Sequence, residues 1–209
     1  MNAKIQTSVP LQIYTRLKPS DLPISTAELA KALIGCTLVR ETPEGVTAGR
    51  IVEVEAYVPG DPASHAFRGK TPRTAAMFLS PHRAYVYLSY GTSWCMNVSS
   101  EPEGHGAGVL LRALEPLEGI PLMQIRRGTH TLRDLCRGPG RLCQAMAIDR
   151  SLNELDLLQQ NALYLAAPVR KTGRVRKSKR IGISKAPDRL LRFYEAENSF
   201  VSGPRSLSP

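Results

Sequence analysis

The sequence is short of cysteine, short of aromatics and without a long apolar run. Its four cysteines, Cys36, Cys95, Cys136 and Cys143, contain no CxxC pair. A chain of this size builds a core without disulfide staples, so reduced thiols are expected. No stretch approaches the roughly 18 consecutive apolar residues of a membrane span, and the first 20 residues lack the apolar centre of a secretory signal, so neither membrane insertion nor secretion is expected. The phosphate-cradling GxxxxGK[ST], the GxSxG elbow and the zinc-binding HExxH are all absent. His65, His82, His105 and His130 are too scattered to suggest a zinc site with the cysteines, so no metal and no cofactor is expected.

What is present is enough for a globular protein. The 209 residues are 42% hydrophobic and 22% charged, which argues for one packed domain rather than disorder. Positive charge is in excess, 28 basic against 18 acidic residues, a net +10, and it is unevenly placed. Between Asp156 and Asp188 there is no acidic residue, yet Arg170, Lys171, Arg174, Arg176, Lys177, Lys179, Arg180 and Lys185 all fall there. Such a run attracts polyanions, with nucleic acid first among them; a solvated loop that serves only solubility is the plainer alternative.

Residues 1–24 read as an N-terminal arm over the surface and 25–209 as the main domain. Ser25 with Glu28 suggests a capping box for a helix over 26–34, stopped at Gly35. Residues 37–41 and 46–58 read as a strand hairpin, the second strand placing Val52, Val54 and Ala56 on a core face and Ile51, Glu53, Glu55 and Tyr57 on the other. A long irregular connection over 59–74 carries His65. Strands follow over 84–90, 94–99 and 109–113, the last ended by Glu115-Pro116. Helices are expected over 121–127 and 139–148, final strands over 163–167 and 190–195, and a loop through the basic segment. Cys95, Met96 and Cys143 read as core residues. The mixed order, without βαβ alternation, gives an α+β class: a single mixed domain with a curved, largely antiparallel sheet and flanking helices.

Two segments carry possible chemistry. In Ile51-Val52-Glu53-Val54-Glu55-Ala56-Tyr57, Glu55 and Tyr57 share a strand face leading to His65; a solvated edge strand would look the same. In Ala84-Tyr85-Val86-Tyr87-Leu88-Ser89-Tyr90-Gly91, three tyrosines crowd into six positions of a chain that is only 6% aromatic. Cross-strand packing explains tyrosines on a strand, but rings beside basic charge also suit base stacking, and Gly91 would let a turn project Tyr90 outward.

The blocks IVEVEAYVPGDPASHAFRGKTPRTAAMF, AYVYLSYGTSWCMNVSS, VLLRALEPLEG, GPGRLCQAMAI and LLRFY, in this order from about Glu28 to Ser202, resemble the alkyladenine (3-methyladenine) DNA glycosylase family. The resemblance implies an enzyme that flips damaged purines out of double-stranded DNA and hydrolyses the base–sugar bond, leaving an abasic site without strand cleavage. The lesion class implied is 3-methyladenine, 7-methylguanine, hypoxanthine and ethenoadenine. Residue by residue, it implies Glu55 as the general base, Arg112 beside the attacking water, and Tyr57, His65, Tyr87 and Asn97 lining the base pocket, with Asn97 crowding the amine of normal guanine. Tyr90 is the implied intercalating wedge, while Ile183 and Ser184 match the pocket edge only loosely. Arg174, Arg176 and Lys177 are candidates for phosphate contact. Thr92-Ser93 occupies a place where bulkier apolar or aromatic residues can occur in the family. A monomer is expected, in the cytoplasm at the nucleoid of a bacterium or in a eukaryotic nucleus. A non-catalytic damaged-DNA-binding module of the same fold and a free-nucleoside hydrolase are the competing readings.

Overall fold

The computed structural model describes residues 13–203. Its eight strands are β1 (Thr37–Thr42), β2 (Gly45–Tyr57), β3 (Ala84–Ser89), β4 (Ser93–Ser99), β5 (Gly108–Glu118), β6 (Leu163–Ala166), β7 (Val175–Ser178) and β8 (Arg192–Glu195). Helices α1 (Thr26–Leu33), α2 (Ile120–Arg127) and α3 (Pro139–Ala145) flank them. All strand pairs are antiparallel, in the order β3-β4-β5-β2-β1-β6. The long strand β2 changes partner along one edge: residues 45–50 pair with β1, whereas Glu53, Val54 and Glu55 pair with β8, which pairs in turn with β7. The result is one curved, forked sheet in a single α+β domain.

The fork rests on irregular pairing between β2 and β5, with register shifts on both sides of Glu53. A bulge reverses the alternation of side chains. Ile51 therefore joins Val54 and Ala56 in the main core, and Val52 lies instead in a separate cluster with Ala113, Tyr194 and Val201. This corrects the strict two-residue alternation, which put Val52 in the main core and Ile51 outside it. A third shift, at Ala48/Gly49, lets β5 continue through Glu115-Pro116 to Glu118 rather than ending there, because proline is tolerated where a ladder is already broken.

Leu29, Ala30 and Leu33 of α1 are fully buried, each leucine contributing ~1.5–3 kcal/mol by leaving water. The expected Ser25–Glu28 capping box does not form. Glu101 caps the helix instead, its carboxylate accepting from the Thr26 backbone N–H at 2.8 Å and from the Thr26 hydroxyl at 2.6 Å. Helix α3 stops at Ala145, three residues early, the Ile148 N–H bonding back to Cys143 O. Its first turn packs against β4: a Cβ on Gly140 would lie 2.9 Å from that of Ser93, so both positions hold small residues. Of the expected arm, residues 1–12 lie outside the described part, while Tyr14, Leu17 and Leu22 are buried and the chain from Thr15 to Leu17 bonds along β6. All four cysteines are free and buried, and loss of water raises the Cys36 and Cys136 thiols to about 11 and about 12.

The basic segment departs most from expectation. It contains β7, so it is in part a paired strand. Arg180 is buried against Asp61, Arg170 bonds Glu115 at 2.7 Å, and Lys179 pairs with Asp188. The excess charge facing outward is therefore smaller than a count along the sequence gives.

Candidate active site

A cleft of about 860 Å³ opens where β2, β3, β4 and β5 meet the segment 181–185. One wall is aromatic. Tyr85 and Tyr87, alternate residues of β3, stack with ring centroids 5.2 Å apart and planes 21° from parallel. His65 meets the Tyr87 ring edge-on at 4.6 Å, and its Nδ1 lies 3.0 Å from the Tyr85 hydroxyl. Loss of water around the imidazole, reinforced by the Arg73 charge, lowers its pKa and keeps it neutral at pH 7. Tyr57 stands at the end of β2, its phenol made harder to ionise by burial and by the charge of Glu55. Asn97, 4% exposed, lines the floor from β4, between Tyr85 and Leu110 in register.

Beneath this wall lies a carboxylate–guanidinium cluster. Glu55 is fully buried. Its Oε2 accepts from the Tyr57 hydroxyl at 3.0 Å and faces Arg112 Nη1 at 3.2 Å, while Oε1 accepts from the Ile181 N–H at 2.7 Å. Arg112 bridges to the other glutamate of the strand, its Nε donating to Glu53 Oε1 at 3.1 Å. Burial works against the Arg112 charge, but Glu55 and Glu53 more than offset it and raise its pKa. Arg112 is thus a fixed cation between two carboxylates.

The mouth is marked by Tyr90, 94% exposed. Tyr90 and Gly91 both have positive φ (49° and 71°), and the Thr92 N–H closes the turn on Ser89 O at 3.0 Å. Glycine takes this conformation freely, and Tyr90 adopts it at some strain. Ile183 and Ser184 line the cleft. Arg174 and Lys177 are exposed and Arg176 is partly so, on and beside β7. No cluster of three or more His, Cys, Asp or Glu suited to a metal ion occurs among the described residues.

The structure brings Glu55, Arg112, Tyr57, His65, Tyr87 and Asn97 together, with Tyr90 at the rim. Sequence reasoning missed Tyr85 as the partner of His65, and gave Glu53, Asp61 and Arg180 no place in the site. Tyr85 had a signal, since it shares the face of Tyr87. Arg180 had none, because Asp61 is 119 positions away and a charge run reads as solvated.

A buried carboxylate–arginine pair under an aromatic cleft, in a protein with net charge +10, equips a hydrolase for a base-bearing polyanion. Residues 21–199 match the family described as Methylpurine-DNA glycosylase (MPG). The chain is 58% identical to a protein of Mesorhizobium japonicum over 90% of each chain, and 50% identical to one of Paraburkholderia phytofirmans over 90% of this chain and 88% of that one. It is 46% identical to one of Methanoculleus marisnigri over 85% and 93%. All three carry the name "Putative 3-methyladenine DNA glycosylase". The chain belongs to the methylpurine-DNA glycosylase family, and is accordingly a monofunctional DNA N-glycosylase of DNA repair, with DNA as its substrate.

Proposed function

We propose that this enzyme flips alkylated and deaminated purines out of the duplex and hydrolyses their N-glycosidic bond, with 3-methyladenine, 7-methylguanine, hypoxanthine and ethenoadenine as its lesion class. The observation that carries the reading is Glu55, buried behind two residues that line the cleft, Tyr57, which donates to it, and Arg112, its charge partner. A base must leave the stack before its sugar bond is reachable, at a cost of a few kcal/mol. Tyr90 offsets part of that cost by filling the gap. The flipped base lies between Tyr57 and Tyr87, and a methylated, cationic purine gains roughly 0.5–2 kcal/mol from their electron-rich faces. His65 lines the pocket with them, and Asn97 crowds the exocyclic amine of normal guanine.

Cleavage develops positive charge on the sugar, which the Glu55 carboxylate stabilises while it takes the proton of the attacking water. Glu55 is sealed from bulk solvent in the free protein. Arg112, 3.2 Å from Glu55, orients the water it activates. The product is an abasic site. The protein acts as a monomer wherever the cell keeps its DNA.

The deciding experiment is base release from duplexes carrying each of the four lesions, with the corresponding free nucleosides alongside. Release from duplex only, leaving unbroken abasic strands, is expected. Tight lesion binding without release would leave damage recognition alone, and equal turnover of nucleosides would remove the need for Tyr90.

The rim can be tested separately. Tyr90→Ala should slow release from ethenoadenine paired with thymine more than from the same lesion in single-stranded DNA, where less stacking is broken. Equal losses on both would return Tyr90 to a structural role. Neutralising Arg174, Arg176 and Lys177 should flatten the plot of log affinity against log salt by up to about 0.9 for each phosphate left without its cation. An unaltered slope would show that β7 faces solvent.

A further inference from the structure

We propose that the buried Arg180–Asp61 pair is a positioning latch for base removal: it fixes Tyr57 and Ile181, two of the groups that hold Glu55. The inference rests on Glu55 as the general base. Arg180 grips Asp61 through both terminal nitrogens, Nη1 to Oδ2 at 2.5 Å and Nη2 to Oδ1 at 3.2 Å. Nη1 also donates at 3.0 Å to the carbonyl of Ala56, the residue between Glu55 and Tyr57. The guanidinium lies 4.6 Å from the centre of the Tyr57 ring. The next residue in the chain, Ile181, gives its backbone N–H to Glu55. One side chain thus sets the end of β2, the ring that roofs the carboxylate, and the start of the segment that edges the cleft.

Asp61 extends the latch to a third segment. Its backbone and carboxylate build the turn that leads to His65, accepting from Ser64 N at 2.9 Å and Ala63 N at 3.0 Å. Asp61 and Arg180 do not line the cleft, and they bear on it through neighbours that do, among them Tyr57 and Ile181. Stability alone is a poor account of the pair. Burying two charges is expensive, the attraction between them often no more than repays it, and Arg180 Nε has no acceptor among the described residues. What the pair supplies is orientation. It also ties the basic strand β7 to the candidate base, since only Lys179 separates β7 from Arg180.

The test is a double-substitution cycle. Single-turnover release of 7-methylguanine, whose bond is already weak enough to break in a crippled enzyme, is measured for Arg180→Lys and Asp61→Asn, each alone and combined with Glu55→Gln. Duplex binding and thermal melting are followed on the same proteins. Alone, each should slow release by about 10- to 100-fold, the effect of a misplaced catalytic group, with duplex affinity little altered. In the Glu55→Gln background each should cost little more, because it acts through Glu55. Equal losses in both backgrounds would overturn the latch. Asp61→Asn keeps Oδ1 for Ala63, so it reports even where Arg180→Lys does not fold, and failure of both to fold would assign the pair to stability alone. Wild-type rates in Glu55→Gln by itself would overturn the reading of Glu55, a result distinct from failure of the latch.

Discussion

Glu55→Gln is expected to lower release of a neutral lesion such as hypoxanthine by at least ~10²-fold while leaving lesion-duplex affinity close to wild type. The amide is nearly isosteric and retains an oxygen for the Ile181 N–H, but it has neither the negative charge nor the proton acceptor. Loss of a general base alone accounts for ~10²–10⁴-fold, and the charge missing at the sugar adds to it. Binding survives because phosphate contacts and the aromatic wall are untouched. The fold survives because Arg112 retains Glu53 as its counter-charge at 3.1 Å. Cationic 7-methylguanine should suffer less than hypoxanthine, since it leaves more readily. Single-turnover release and equilibrium binding on the same duplexes check this. Near-wild-type release with intact binding would remove Glu55 from the chemistry and require another base in the cleft.

The site was more legible in the sequence than the sheet that builds it, and the reason is where the information lies. Glu55 with Tyr57, and Tyr85 with Tyr87, sit on strands with ordinary alternation, so period and residue type put each pair on one face; the roles of Glu55, Tyr57 and Tyr87 come from the family resemblance. The bulges beside Glu53 leave no local mark, because Val, Ile and Glu are all acceptable strand residues whichever face they take; the inversion that sends Ile51 into the main core and Val52 into the second cluster is imposed by β5 and β8. Helix α1 shows the same limit. Ser25-x-x-Glu28 has the spacing of a capping box, yet Glu101, 75 positions away, reaches the orphan N–H first. Charge suffers most. A run of eight cations reads as one patch, but Arg170, Lys179 and Arg180 are each committed to carboxylates, two of them distant in the chain. The pairing of β7 with β8 is equally silent, since a four-residue strand of Val, Arg, Lys and Ser has no periodicity to detect.

Glu53, only two residues from Glu55, should give the opposite phenotype: Glu53→Gln is expected to cost ~3–5 kcal/mol of stability, the usual loss when one partner of a buried ion pair is removed. Its Oε1 accepts from Arg112 Nε at 3.1 Å, Arg192 Nε at 2.7 Å and the Ser202 hydroxyl at 2.9 Å, and its Oε2 from the Ser202 N–H at 2.5 Å. This carboxylate joins β2, β5, β8 and the chain beyond β8, and it is fully buried. A neutral amide removes the charge that the two guanidiniums share and turns one acceptor into a donor facing cations. Against a total stability of about 5–15 kcal/mol, the loss corresponds to a fall in Tm of roughly 6–20 °C for a domain of this length. Release measured well below the lowered Tm should nevertheless exceed that of Glu55→Gln, because Glu55, Tyr57 and the Ile181 N–H remain in place. Thermal melting beside single-turnover release on both variants decides the matter. A Glu53→Gln protein that melts like wild type but fails to release base would move Glu53 from the frame of the sheet into the chemistry, and the division of labour between the two glutamates would have to be reversed.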